Sequence, residues 1–243
     1  MSPSLSLMAL TKNGSWRLER MLRSVSGKVS EVVIGIDNET DDDTEQRAHR
    51  YTSNVFKVSN SEGYIEPHIR TLFEKCTGDW ILRLDDDEIM SWNFSIDAIP
   101  PEVLCSFDLV GFPRAWIVQR DPPLYISTSS HGEGFVPQFR MMKRSAHWDF
   151  VSEIHTPGFK MKPAFVVPDM LIFHMNLLDY SAEQRRIKFD FYQGHKDAPW
   201  NQTYLLDPDQ VATSGNARLC QPEMFPPLDL LRSAEVDFRA NPT

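Results

Sequence analysis

The residues that could most directly do chemistry form an unbroken acidic run, Asp85, Asp86, Asp87 and Glu88. The mainly apolar segment 80–84 precedes this run and is typical of a buried strand. Because alternate residues of an extended segment point the same way, Asp85 and Asp87 can face one common point. Mg²⁺ and Mn²⁺ prefer oxygen ligands, and Mg²⁺ takes only one or two carboxylates, which leaves positions for water and substrate phosphates. The sequence therefore predicts a site for a divalent cation and a diphosphate.

Alternating predicted strands and helices precede the acidic run and must position it. The predicted strands cover 5–10, 32–36, 54–58 and 80–84, and the predicted helices cover about 18–27, 41–51 and 69–76. This order predicts an α/β fold with a mostly parallel sheet and helices on both faces. Ligands bind such sheets beyond the carboxyl ends of the strands. Asp37, which ends the second strand, and the acidic run are therefore expected at one ligand-binding edge.

The pattern changes after the acidic run, where we expect antiparallel or mixed pairing. Further strands are predicted at 104–112, 115–119, 135–142, 147–154 and 170–174, with loops at 121–123 and 127–134 that could order over a ligand. Ser181-Ala-Glu-Gln is a capping box and predicts a helix to about His195. We expect one folded domain over 1–197 and, because prolines recur beyond it, an irregular tail over 198–243 with a short helix near 228–233.

The composition limits the class of protein. The 243 residues carry a formal net charge of -9, which argues against binding a nucleic acid polymer through a broad basic surface. The widely spaced Cys76, Cys105 and Cys220 are typical of reduced thiols and not of a disulfide framework or a zinc site. The apolar segment 5–10 is shorter than a signal-peptide core, and no apolar run approaches the length of a membrane span. We therefore expect a cytoplasmic protein, with peripheral contact at the inner face of a membrane left open.

Four short pieces of the sequence together carry a resemblance to a known family. Thr11-Lys-Asn follows the first strand, 36–44 follows the second, Arg70 lies close to the start of the third helix, and 78–88 contains the acidic run. These pieces resemble the GT-A-fold glycosyltransferases of the family 2 type, most closely over residues 5–90 and more weakly beyond. The resemblance is strongest to bacterial enzymes that add sugars to the lipopolysaccharide core and to other surface glycans.

That resemblance implies a GT-A (Rossmann-like) domain with a mostly parallel central sheet and a mixed β half on the acceptor side. Within the domain 1–197, residues 1–90 would bind the nucleotide sugar and residues 91–197 would bind the acceptor. The implied activity is a metal-dependent, inverting transfer of a sugar from a nucleotide-diphosphate sugar to a hydroxyl group of a saccharide or glycolipid. A UDP-sugar is the favoured donor.

Residues at the strand ends supply the donor site that the resemblance implies. The nucleotide-sugar contacts would be Thr11, Asp37, Arg70, Asp85 and Asp86, and the ligands of Mn²⁺ or Mg²⁺ would be Asp85, Asp87 and His174. The cation would neutralise the charge that develops on the diphosphate leaving group. A surface position on a helix explains Arg70 equally well, and a single histidine at a strand end is more often structural than metal-bound.

The acceptor site and the general base fall in the second half. The resemblance implies acceptor contacts from Arg140, Trp148 and His155, and a base at Glu153 or Asp149. The sequence departs from the family pattern here, because Thr156 follows His155 where a glutamate is usual. Glu153 could instead form a structural ion pair with His155. An aromatic residue such as Trp148 on a half-buried strand is commonly part of the core.

Two other functions stay open on the sequence alone. A D-x-D phosphatase uses its first aspartate as nucleophile, but such enzymes usually carry Gly-Thr soon after the motif, where Glu88-Ile-Met stands here. A glycan-binding or metal-binding relative without catalytic activity would use the acidic run as a static ion site, although the run lacks the spacing of an EF-hand loop. Sugar transfer is the function that the combined motifs favour.

Overall fold

The computed structural model describes residues 2–59, 63–127, 136–154, 156–194, 199–220 and 224–227. The first half contains β1 (Leu5–Thr11), α1 (Ser15–Ser24), β2 (Glu31–Asp37), α2 (Thr44–Ala48), β3 (Val55–Val58), α3 (Ile69–Lys75) and β4 (Trp80–Arg83). The second half contains β5 (Glu88–Met90), α4 (Pro101–Ser106), β6 (Leu109–Arg120), β7 (Pro123–Ile126), β8 (Val136–Lys143), β9 (Ala164–Val166), β10 (Ile172–His174), α5 (Asn176–Asp179), α6 (Ala182–Gln193), α7 (Pro208–Thr213) and β11 (Arg218–Leu219). Short 3-10 segments cover Glu66–His68, Ile96–Ala98 and Pro199–Leu205. Within the described ranges, every helix is too short or too polar to cross a lipid bilayer.

The first half of the sheet is parallel, in the order β3-β2-β1-β4. Alternate residues of β1 face opposite sides of the sheet. Leu7 accordingly shares a buried cluster with Met21 of α1, whereas Met8 shares another with Leu72 of α3. The predicted alternation of strands and helices and the α/β fold class are confirmed. Because the four strands run in one direction, Asp37 and the acidic run lie at the same edge.

The second half of the sheet is mixed, as expected. β8 joins the two halves, because it is antiparallel to β4 on one side and to β6 on the other. β10 is parallel to β6 and antiparallel to β5. This pairing places His174 directly opposite Glu88. The strand register therefore brings the histidine at the end of β10 to the acidic run.

The prediction of two separate strands at 104–112 and 115–119 is wrong. They form one strand, β6, that contains Pro113, and Leu104 lies in the preceding helix α4. Pro113 lies opposite Pro137 of β8. On its other side, the parallel partner of β6 changes from β9 to β10 at this point. A proline, which has no amide hydrogen to donate, is tolerated where the ladder is interrupted in this way.

The prediction of a strand at 147–154 is also wrong. In this segment Phe150 forms a single isolated bridge to Phe159, and the neighbouring backbone is irregular. Its aromatic side chains pack into the core instead. The Trp148 indole donates a hydrogen bond to the backbone oxygen of Lys143 at 2.9 Å, and the Phe150 ring lies 5.2 Å from the Phe73 ring in an edge-to-face arrangement. The apolar alternation that predicted a strand therefore reflects side chains that pack into the core.

Helix α6 begins at the predicted capping box. The hydroxyl of Ser181 accepts a hydrogen bond from the backbone N–H of Gln184, and the Gln184 side chain accepts one from the backbone N–H of Ser181. The helix ends at Gln193, and His195, where it was expected to end, lies outside the described residues. Its inner face is fixed by Arg185, which is 6% exposed.

The segment 199–220 differs from the irregular tail that was expected. α7 packs against β6, and β11 pairs with β7 as an antiparallel edge strand. These elements attach the segment to the second half of the sheet. The short helix expected near 228–233, and most of the loop expected at 127–134, lie outside the described residues.

Candidate functional site

A cavity of about 650 Å³ opens at the edge where β1, β2 and β4 end. The predicted site residues that line it are Thr11, Asp37, Asp85, Asp86, Asp87 and His174. Helix α6 contributes Gln184, Ile187, Lys188, Phe191 and Tyr192. The structure therefore collects most of the predicted donor-site residues around one cavity.

Asp85 is held by two arginines. Arg140 Nη2 donates a hydrogen bond to Asp85 Oδ2 at 2.7 Å, and Arg83 Nη2 lies 3.4 Å from Asp85 Oδ1. Burial alone would raise the pKa of Asp85, but Arg140 and Arg83 outweigh it and lower that pKa to about 2. Arg140 also donates to the fully buried Glu88 Oε1 at 2.7 Å. The Asp85 side chain keeps 33% exposure, so it presents a charged carboxylate to the cavity.

Asp86 turns towards the loop between β1 and α1. Thr11 Oγ1 donates a hydrogen bond to Asp86 Oδ2 at 2.6 Å, and Arg17 Nε lies 3.7 Å from Asp86 Oδ1. Burial raises the pKa of Asp86, against the effect of Arg17. A Cβ atom at Gly14 would lie 2.0 Å from Thr11 Oγ1 and 2.5 Å from Asp86 Oδ2, so this contact requires a glycine there. Asp86 therefore joins the acidic run to the loop that follows β1.

Asp87 is surrounded by residues from the C-terminal half of the chain. His174 Nε2 lies 3.3 Å from Asp87 Oδ1, Asn176 Nδ2 donates to Asp87 Oδ2 at 3.2 Å, and Lys188 Nζ lies 3.6 Å from the same oxygen. The backbone oxygen of Asp87 also accepts a hydrogen bond from the N–H of Met175 at 2.8 Å. Burial alone would raise the pKa of Asp87, but His174 and Lys188 hold it well below its usual range. Asp87 is consequently a fixed anion at neutral pH.

The side chains at Asp87 fit a divalent cation that brings other ligands with it. Asp87 and His174 supply a carboxylate and an imidazole at one point, whereas Asp85 is turned towards Arg140. In the part of the chain that the structure describes, no three His, Cys, Asp or Glu side chains converge as a metal-binding group. The expected set of Asp85, Asp87 and His174 is therefore not assembled. Mg²⁺ or Mn²⁺ suits such a site, because water and phosphate oxygens complete its coordination.

Two carboxylates of the cavity have an oxygen without a hydrogen-bond partner among the described residues. Asp37 Oδ1 accepts from the backbone N–H of Glu39 at 2.8 Å, whereas Asp37 Oδ2 is buried and unsatisfied. Glu66 Oε2 is likewise buried and unsatisfied. Burial raises the pKa of Glu66. Because unsatisfied buried acceptors are costly, these oxygens are suited to accept hydrogen bonds from the hydroxyl groups of a ligand.

Three of the predicted site residues lie on the surface, and the cavity lining does not include them. Arg70 Nε pairs with Glu74 Oε1 at 2.7 Å, and both side chains are more than half exposed. The Asp149 carboxylate lies 3.4 Å from the exposed His147 ring. Glu153 is exposed as well. The structure therefore does not bring these residues to Asp87.

The predicted acceptor residues are also not gathered at the cavity. Trp148 is 7% exposed and its ring lies 4.9 Å from that of Phe159, so it belongs to the core. Arg140 is buried at Asp85 and Glu88, where it holds the acidic run in place. His155 lies outside the described residues.

Two residues beside Asp87 were not among the predicted site residues. Asn176 and Lys188 lie on α5 and α6, about ninety and one hundred residues after the acidic run. No local motif marks them, because a lysine on a helix is ordinarily a solvated side chain. The capping box at Ser181 locates the helix that carries Lys188, but it does not reveal which face of that helix lies at the cavity.

Comparison with known proteins finds similarity in the first part of the chain. Residues 6–94 match the family model for glycosyl transferase family 2. An uncharacterized glycosyltransferase of Rickettsia prowazekii, RP128, is 30% identical over 93 residues, which cover 36% of this chain and 29% of that protein. An uncharacterized glycosyltransferase of Rickettsia felis is 35% identical over 88 residues, which cover 36% of this chain and 30% of that protein. The chain thus spans about a third or less of the length of these curated relatives.

Two solved structures are similar at low sequence identity. S. aureus TarS 1-349 is 13% identical, with a TM-score of 0.49 and coverage of 87% of this chain and 72% of that one. Glucosyl-3-phosphoglycerate synthase from Mycobacterium tuberculosis, in complex with Mn²⁺, UDP and phosphoglyceric acid, is 20% identical. Its TM-score is 0.36, and the match covers 46% of this chain and 43% of that one.

Proposed function

On the premise that residues 6–94 match the family model for glycosyl transferase family 2, we propose that the protein moves a sugar from a nucleoside-diphosphate sugar to a hydroxyl group of a saccharide or glycolipid. The transfer is metal-dependent and inverts the anomeric centre. The observation that carries this proposal is that Asp37, at the end of β2, and Asp87, in the acidic run after β4, line one cavity of about 650 Å³. A cavity of this size is in the range of small-molecule sites.

The donor is proposed to bind with its nucleoside at Asp37 and its diphosphate near Asp87. The unsatisfied Asp37 Oδ2 would accept hydrogen bonds from the ribose hydroxyls. Thr11 and Asp86 hold the loop beside it, since they are bonded to each other at 2.6 Å. Asp85 would contact the ribose or a water ligand of the metal, because its charge is fixed by Arg140.

Asp87 and His174 are proposed to hold Mg²⁺ or Mn²⁺, which when bound would neutralise charge on the leaving nucleoside diphosphate. Neighbouring side chains fix the orientation and the charge of the Asp87 carboxylate. Asn176 orients the Asp87 carboxylate through a hydrogen bond of 3.2 Å. The low pKa of Asp87, to which His174 and Lys188 contribute against burial, keeps the carboxylate ionised and able to bind a cation.

Glu66 is proposed as the general base that takes the proton of the acceptor hydroxyl. It lines the cavity, whereas Asp149 and Glu153, the bases expected from the sequence, are exposed outside the lining. Its Oε2 atom has no hydrogen-bond partner among the described residues. Burial raises the pKa of Glu66, which makes its carboxylate a stronger base.

Glu66→Gln is expected to lower kcat roughly a hundredfold at saturating donor, because a general base typically contributes at least this much. The affinity for the nucleoside diphosphate should stay within about threefold of wild type, since the amide keeps the shape of the side chain. Single-turnover kinetics and equilibrium nucleotide binding measure the two effects separately. The exposed Glu153→Gln is the matched control. A full loss of activity in Glu153→Gln with unchanged turnover in Glu66→Gln would assign the base to Glu153.

The proposed activity is tested by measuring release of UDP or GDP from their sugars. The full chain is incubated with each donor and a panel of saccharide acceptors, with Mn²⁺, with Mg²⁺ or with a chelator. We expect nucleotide release that requires the metal and increases with one class of acceptor. Unchanged release in the chelator would contradict metal dependence. The absence of release and transfer for every donor, together with Ca²⁺-dependent glycan binding, would support the non-catalytic alternative.

A further inference from the structure

Lys188 reaches Asp87 from helix α6. Its ammonium nitrogen lies 3.6 Å from Asp87 Oδ2, which is an ion-pair distance and longer than a hydrogen bond. The Lys188 side chain is 31% exposed and lines the cavity, whereas that of Asp87 is only 5% exposed. The carboxylate proposed to hold the metal is therefore partly neutralised by a cation of the chain itself.

The position of Lys188 is fixed by the packing of α6. Arg185, one turn earlier, donates hydrogen bonds to the backbone oxygens of Leu177, Tyr180, Tyr204 and Leu206 at 2.6 to 3.1 Å. The rings of Tyr180 and Tyr204 also approach the Lys188 ammonium, with centroids at 5.4 and 5.3 Å. Aromatic faces at these distances attract a cation. Lys188 is therefore held beside Asp87 by both its helix and its neighbours.

Two other cations that line the cavity, Lys12 and Arg83, have their own partners. Lys12 pairs with Glu39, and Arg83 donates to the backbone oxygen of Pro157 at 3.0 Å. Arg17, which the cavity lining does not include, donates to the backbone oxygen of Asn13 at 2.7 Å. Lys188 differs from them because its ion pair is made with the proposed metal ligand.

An ammonium group and a divalent cation repel each other when both lie at one carboxylate. A nucleoside diphosphate removes this conflict, because its phosphate oxygens offer each cation a further anionic partner. Mg²⁺ is commonly bound by one or two carboxylates together with substrate phosphates. Without the diphosphate, the described residues offer the metal no group of three carboxylate, imidazole or thiolate ligands.

We propose that Lys188 pairs with Asp87 before the donor binds and moves onto the diphosphate when the donor binds. The divalent cation then enters together with the nucleotide and not before it. This inference rests on the proposed function, since it assumes that the donor carries a diphosphate. Lys188 thereby acts as a binding residue that makes metal and donor bind cooperatively.

Lys188→Met tests this inference, because it removes the charge and keeps the length of the side chain. Calorimetry measures the affinity for Mn²⁺ alone, and then the affinity for UDP and for GDP at saturating Mn²⁺. Mn²⁺ alone should bind Lys188→Met at least roughly threefold more tightly than wild type, the size of effect expected for a partly exposed ion pair. The nucleoside diphosphate should bind roughly tenfold or more weakly, because a charge-assisted contact to phosphate is lost.

Two further variants separate this effect from a general one. Lys188→Arg keeps the charge and should keep both affinities close to those of wild type. Lys57→Met removes a lysine of β3 that pairs with Glu45 of α2, away from the cavity lining, and therefore controls for the change in net charge. It should change neither affinity. Opposite changes in the two affinities are not expected from simple misfolding, which would weaken both.

The inference is overturned if Mn²⁺ alone binds Lys188→Met no more tightly than wild type, or if its affinity for the nucleoside diphosphate is unchanged. A failure of the proposed function looks different. In that case wild-type protein binds neither UDP nor GDP at any metal concentration. Tighter Mn²⁺ binding by Lys188→Met would then still show that Lys188 competes for Asp87, but the transfer of Lys188 to a diphosphate would be refuted.

Discussion

Replacing Arg140 with methionine is expected to lower the free energy of unfolding by about 3–5 kcal/mol, the range for removing one partner of a buried ion pair. The Arg140 side chain is 7% exposed and donates to both Asp85 and Glu88 at 2.7 Å. Glu88 is fully buried, so its carboxylate would lose its cationic partner without gaining water. Chemical denaturation followed by circular dichroism measures the loss.

Arg70→Met is the matched control for this prediction. It removes the same chemical group from an ion pair with Glu74 whose side chains are 68% and 58% exposed. Such a pair contributes little, so we expect a change below about 0.5 kcal/mol. Adding Glu88→Gln to Arg140→Met should recover part of the loss, because the uncompensated charge is removed. Equal stability of the two single variants would contradict the buried ion-pair network.

Replacing Asp87 with asparagine is expected to reduce turnover by about 10²–10³-fold, the effect of removing one group that stabilises charge in a transition state. Asparagine keeps the size of the side chain but removes the anion that His174, Asn176 and Lys188 surround. Metal-dependent nucleotide binding should weaken in parallel. Steady-state kinetics over a range of Mn²⁺ concentrations measure the effect and show whether added metal rescues it.

Asp86→Asn is the matched control, because it makes the same change one residue earlier. Asp86 is bonded to Thr11 and faces Arg17, and burial raises its pKa, so its charge is less important than its shape. We expect less than about a tenfold loss of turnover, because an amide oxygen can still accept the Thr11 hydrogen bond. Identical losses in Asp86→Asn and Asp87→Asn would mean that the net negative charge of the acidic run, and not the geometry at Asp87, supports activity.

The parallel half of the sheet and its acidic edge were predictable because their pieces are local. Each strand of the parallel half is a short, mainly apolar run. Asp37 ends β2, and Asp87 lies four positions after the end of β4. Parallel strands place such residues at one edge whatever the details of packing. The capping box at Ser181 is equally local, since its two hydrogen bonds join residues three positions apart.

The surroundings of Asp87 and Asp85 were not predictable in the same way, because they depend on contacts between distant parts of the chain. Arg140 lies 55 positions from Asp85, and Asn176 lies 89 positions from Asp87. Trp148 shows a related difficulty. Its alternation with Phe150 is typical of a strand, but the structure uses both rings to fill the core beside α3. Periodicity identifies buried side chains there without identifying the backbone conformation.

The most direct test of a donor site at this edge of the sheet is a crystal structure of the protein soaked with UDP and Mn²⁺, and of a second crystal soaked with GDP and Mn²⁺. We expect an anomalous manganese peak beside Asp87 and His174, the diphosphate bound to that metal and to Lys188, and the ribose at Asp37. Manganese at another position, or a nucleotide bound outside the cavity that Asp37 and Asp87 line, would contradict the account.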